Sequence, residues 1–178
     1  MATNSQAIAQ ALPPLIAAER KLSDAAAAWG IVYAINAAEY GAIRSPVDTT
    51  KAMTARDREY PAYVAGGGTL AKETWRKIAP FGQSYHNYGA AFDVVIVQHL
   101  PAMTVAQSLA ALGKLAPAFG LKWGGTFNDP AHFELAIPLS VARKEWETLG
   151  NTPGFSIVKG AGTVAIVFLL WLAARRFL

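Results

Sequence analysis

The run Phe92 to Val97, FDVVIV, constrains this chain more than any other stretch. Its β-branched and aromatic residues make the strongest strand signal present, and an acid, Asp93, sits inside it. Other strand candidates are short and far apart: Ile31 to Ile35, Leu121 to Trp123 and His132 to Ile137. Helical patterns separate them. Pro13 and Pro14 open a helix over about Leu15 to Trp29, which Gly30 ends. Pro46 to about Val64 is helical in part, up to the break at Gly66-Gly67-Gly68. Thr104 to Phe119 has helical spacing, with Val105, Leu109, Leu112 and Leu115 on one side and Gly120 behind it. Ser140 is positioned to cap a last helix that runs to Leu149. Separated short strands among helices predict an α+β domain, not a repeating βαβ fold.

At 178 residues the chain has room for one domain and a short appendage. It contains no cysteine, which excludes disulfides and thiolate metal sites. The net charge of +4 suggests an anionic partner until its position is considered. Residues 155–178 carry Lys159, Arg175, Arg176 and no acid, so the body is close to neutral. No basic stripe with interleaved aromatics is present, so nucleic acid is not an expected partner. Met1 to Leu12 has neither an early basic residue nor a long apolar run, and does not read as a cleavable signal peptide.

Two clusters concentrate the polar chemistry. The first is Ser84-Tyr85-His86-Asn87-Tyr88-Gly89-Ala90-Ala91-Phe92-Asp93. The second is Trp123-Gly124-Gly125-Thr126-Phe127-Asn128-Asp129-Pro130-Ala131-His132-Phe133-Glu134. A catalytic zinc ion needs about three protein ligands and an open position for water, and imidazole and carboxylate are suitable donors. His86 lies in a glycine-containing turn that Gly89 and Ala90 allow to fold back towards Asp93. His132 arrives from a distant strand as the third ligand. Asp129, three residues earlier, suits a general base. Each cluster alone fits a hydrogen-bonded core histidine and a turn-capping acid equally well; the metal reading rests on finding both. Glu134, two residues past His132 on the same side of an extended strand, is placed to support it from behind. His99 has no partner motif and reads as structural or exposed. Tyr85, Tyr88, Trp123 and Phe127 suit either a groove wall or the core.

SYHNYGAAFD fits Ser-x-His-x-x-Gly-x-Ala-x-Asp, and WGGTFNDPAHFE fits Trp-Gly-Gly…Asp-x-x-His-Phe. Both patterns resemble the M15 family of zinc peptidoglycan peptidases, and the Trp-Gly-Gly and His-Phe elements look most like its endolysin branch. The resemblance implies an M15, D-Ala-D-Ala peptidase-like fold, a small antiparallel sheet flanked by helices. It implies Zn2+ held by His86, Asp93 and His132, with Asp129 as the base. Ser84 falls at a substrate-contacting position. Arg44 matches an arginine that polarises the scissile carbonyl or grips a substrate carboxylate; a surface ion-pairing arginine is the alternative. The implied activity is zinc-dependent hydrolysis of peptidoglycan stem peptides, as an L-Ala-D-Glu endopeptidase of bacteriophage-endolysin type. The alternatives are a D,D-carboxypeptidase on the same scaffold, or an inactive membrane- or virion-tethered wall-binding module.

The domain organisation expected is a peptidase domain over 1–150, a linker over 151–159 and a hydrophobic C-terminal helix over 160–178. Gly160 to Ala174 holds no charge, and extension back to Phe155 gives a helix of about 30 Å, long enough to span a hydrocarbon core. Arg175 and Arg176 favour a cytoplasmic end. The chain is therefore expected to be membrane- or virion-associated through this helix while acting on the cell wall. A C-terminal helix packed on the domain or on a partner is the alternative.

Overall fold

The computed structural model describes residues 4–36, 44, 46–75 and 78–151. After a short helix α1 (Asn4–Ala7) comes α2 (Pro13–Ala28), whose buried residues Leu15, Ala18, Leu22 and Ala26 recur at helical spacing. Gly30 takes φ 69, its N–H donating to the Ala27 carbonyl while Ile31 donates to Ala26. This left-handed exit satisfies the last helical carbonyls and turns the chain into β1 (Val32–Ile35). Next come α3 (Pro46–Ala65), α4 (Lys72–Trp75), β2 (Ala91–Gln98), α5 (Val105–Leu115), β3 (Leu121–Trp123), β4 (His132–Leu135) and α6 (Leu139–Thr148).

The four strands form one antiparallel sheet in the order β1-β2-β4-β3. Alternation along the strands divides it into two faces. Phe92, Val94, Phe133, Leu135 and Leu121 are buried in the core with Leu15, Leu22 and Leu112 from the helices. Phe92 and Phe133 stack at 5.6 Å between ring centroids. Each such fully buried side chain contributes roughly 1.5–3 kcal/mol relative to exposure. The opposite parity puts Asp93, His132, Glu134 and Lys122 together, because Asp93 pairs with His132 and Lys122 with Glu134 across the ladders.

The α+β, antiparallel architecture is as expected, with two local departures. The expected helix 104–119 ends as α-helix at Leu115 and finishes in a 3-10 turn over Ala116–Phe119, where Pro117 has no N–H to continue the ladder. The last helix starts at Leu139 after Pro138, so Ser140 lies inside it and does not cap it.

The C-terminal part of the expected fold is corrected. Among the described residues no helix is long and apolar enough to cross a membrane, and 160–178 lie outside them. The fold described is therefore the α+β domain, and the expected hydrophobic helix over 160–178 lies outside the described residues. The expectations of a transmembrane helix, of a membrane or virion assembly as partner and of a membrane- or virion-associated location, all drawn from that helix, are withdrawn.

Candidate metal centre

The first site histidine depends on a tightly organised turn. Tyr85–Tyr88 forms a 3-10 turn capped by Ser84, whose hydroxyl accepts from the His86 N–H at 3.3 Å. Asn87 is fully buried, and its Oδ1 accepts from the N–H groups of Gly82 (2.9 Å) and Ser84 (3.2 Å). Its Nδ2 donates to the Arg44 carbonyl at 2.8 Å, while the Arg44 N–H donates to the His86 carbonyl at 2.9 Å. Gly89 ends the turn at φ 58, in the left-handed region, and a side chain there would run into Trp146 and crowd the Ala11 backbone. The chain then enters β2 with Asp93 two residues inside it.

The second cluster folds back just as tightly. Gly124–Phe127 is a 3-10 turn ended by Asn128 at φ 65, a conformation that asparagine tolerates better than most residues. The Asp129 N–H donates to Gly124 at 2.9 Å and the His132 N–H to Asp129 at 3.1 Å, so base candidate and ligand share one turn. Gly124 must be glycine because a Cβ would collide with the Asp129 carbonyl.

Three donor atoms converge where these segments meet. His86 Nε2 lies 3.2 Å from His132 Nδ1 and 3.3 Å from Asp93 Oδ1, and His132 Nδ1 lies 3.1 Å from the same oxygen. A tetrahedral zinc ion with bonds of about 2.05 Å has its ligand atoms about 3.3 Å apart. The triangle matches that edge on all three sides. Its donors, two imidazoles and one carboxylate, are the mixed set that leaves a fourth position open.

The family described as D-alanyl-D-alanine carboxypeptidase, an M15 peptidase family, matches residues 79–135, the segment that holds all three donors. The chain is a zinc metallopeptidase whose metal-site segment matches this M15 family. No curated protein matches it. Among solved structures it is similar to a zinc complex of a mutant VanY, the vancomycin-resistance D,D-pentapeptidase of a VanB-type cassette. Identity there is 23%, the TM-score is 0.49, and the alignment covers 76% of each chain. The family match corrects one expectation: it points to carboxypeptidases and gives no support to a bacteriophage endolysin.

Around the triangle, charge is distributed unevenly. Burial works to raise the Asp93 pKa, but the facing His86 and His132 outweigh it and hold the carboxyl well below the usual carboxylate range. Burial lowers the His86 pKa, with Asp93 opposing. For His132, hydrogen bonds to Asp93 and Glu134 overcome burial and push the imidazole up to about 9. Asp129 goes the other way from Asp93. Desolvation raises its pKa, Asp93 adds to the rise, and His132, His86 and Arg44 oppose it.

Of the remaining expected site residues, Arg44 is tied by its backbone to the His86 turn, and its charge is felt at both His86 and Asp129. The Ser84 hydroxyl caps that turn, a role that its serine-x-x-asparagine spacing already signals. Asn87, the residue that joins Arg44 to the turn, is not among the expected site residues. Phe127 borders the site, its ring 5.8 Å from that of His132, with Lys122 Nζ 5.2 Å from the Phe127 centroid. His99 stays outside, its Nδ1 2.9 Å from the Leu100 carbonyl.

Proposed function

We propose that this zinc metallopeptidase is a D,D-carboxypeptidase that removes the terminal D-alanine from peptidoglycan stem peptides. The observation carrying this reading is the match of 79–135 to the D-alanyl-D-alanine carboxypeptidase family, because that segment contains His86, Asp93, Asp129 and His132. His86, Asp93 and His132 would hold the zinc ion, which would supply Lewis acidity and a water of lowered pKa at this site. Asp129 then acts as the general base: its carboxylate takes the proton from the attacking water and returns it to the departing D-alanine amine. Arg44 supplies a fixed positive charge for the substrate's terminal carboxylate or for the oxyanion. Ser84 is the proposed substrate contact, through a hydroxyl that also accepts from the His86 N–H.

The test is digestion of a purified stem pentapeptide ending in D-Ala-D-Ala by the zinc-loaded protein, with products identified by mass. Release of single D-alanine is expected. A new D-glutamate amine would instead assign the L-Ala-D-Glu bond, and intact pentapeptide would overturn the carboxypeptidase reading.

A further inference from the structure

His132 is gripped at both ring nitrogens. Nδ1 faces the donor triangle, while Nε2 lies 3.0 Å from Glu134 Oε2. A neutral imidazole carries one proton and one lone pair, and only the unprotonated nitrogen can bind a metal. Without guidance either nitrogen can hold the proton. Asp93 Oδ1, 3.1 Å from Nδ1, belongs to the donor triangle itself, so with a cation there the Glu134 carboxylate at Nε2, which can only accept, decides where the proton sits. We propose that Glu134 is a positioning residue that fixes His132 as an Nδ1 ligand, with Lys122 anchoring Glu134 from its other oxygen.

The surroundings fit this assignment. Glu134 is 6% exposed and sits two residues from His132 on the same face of β4. Lys122 stands directly opposite it on β3, with Nζ 3.2 Å from Oε1. Glu134 thus spends one oxygen on the imidazole and the other on the ammonium. His86 offers a contrast, since its buried Nδ1 has no hydrogen-bond partner among the described residues. That ring is placed by its backbone turn instead. One ligand is oriented through the main chain and the other through a carboxylate.

This inference rests on the zinc site and not on which bond is cut. The test measures zinc affinity by competition with a chromophoric chelator. Glu134→Ala is expected to weaken zinc binding by about 10–100-fold. Glu134→Gln should lose less, because an amide oxygen still accepts from Nε2–H, and Lys122→Met should lose least. Unchanged affinity, within about twofold, in a folded Glu134→Ala protein would overturn the proposal. Should that variant fail to fold, nitrogen-15 NMR of the zinc-loaded wild type decides: a proton on His132 Nε2 supports the proposal and one on Nδ1 defeats it. Failure of the wild type to take up zinc would end both this inference and the metal centre. Retained zinc effects without D-alanine release would end only the carboxypeptidase reading.

Discussion

The molecule buries carboxyl groups at two places and treats them in opposite ways. At the metal centre, Asp93 faces two imidazoles, and Glu134 faces an imidazole and an ammonium; both pKa values fall below the ordinary despite burial. Between α2 and β1, Glu19 is 3% exposed and meets neutral partners, the Asn4 amide at 2.9 Å and the Tyr33 hydroxyl at 3.2 Å. Burial raises the Glu19 pKa more than those hydrogen bonds lower it. It also raises that of Tyr33, which therefore stays a neutral donor. Depth alone does not decide how a carboxyl ionises; the charge of its neighbours does. Charge is maintained where a cation is to be held, and it is disfavoured where the group only fastens the N-terminal segment to the sheet.

Replacement of a carboxylate should therefore have opposite signs at the two places. Asp93→Ala removes one corner of the donor triangle. Bound zinc after dialysis, counted by elemental analysis, should fall to background, and peptidase turnover with it. Asp129→Asn should separate chemistry from metal binding. Zinc content should stay at the wild-type level while kcat drops by about 10²–10⁴-fold, the usual contribution of a general base. Loss of zinc in that variant would mean that Asp129 is a ligand. Asn87→Ala leaves the Gly82 and Ser84 N–H groups and the Arg44 carbonyl without their shared partner. A stability loss of about 1–3 kcal/mol is expected in denaturant unfolding. Zinc affinity should weaken alongside, because the His86 turn loosens. An unchanged midpoint would show that the turn is held by its backbone bonds alone.

These two regions also differ in how far they can be read from sequence. His86, Asp93 and His132 stand out because turn and strand geometry demand glycine and small residues at fixed offsets around them, and those offsets persist in the chain as a pattern. The strand β2 is visible because a buried β-branched run has few other uses. Glu19 leaves no such trace. Its partners are 14 and 15 residues away, and on its own helix it looks like one more polar side chain. Asn87 is hidden for a related reason, since its partner Arg44 lies 43 residues earlier. The break in the helix at Leu115 and the start of the last helix at Leu139, just after Pro138, are local events. In both places a proline settles the matter over a competing signal, apolar spacing in one and a capping serine in the other.

The smallest effect belongs to Glu19, and its sign is the sharpest check on the comparison. A carboxyl whose pKa is raised by folding binds its proton more tightly in the folded state than in the unfolded one. Its contribution to stability is therefore complete below the ordinary glutamate range, declines as pH rises through the folded-state pKa, and is constant above it. Arg20 pulls that pKa down and Asp24 pushes it up, both weaker influences than burial. Glu19→Gln keeps an oxygen to accept from Asn4 and Tyr33 but never ionises. At acid pH the variant should melt with the wild type. At pH 7 its Tm should be higher than that of the wild type, because only the wild type has lost the contribution of the protonated carboxyl. A variant less stable than the wild type at pH 7 would mean that the Glu19 carboxylate is stabilised as an anion, and the contrast with Asp93 would collapse.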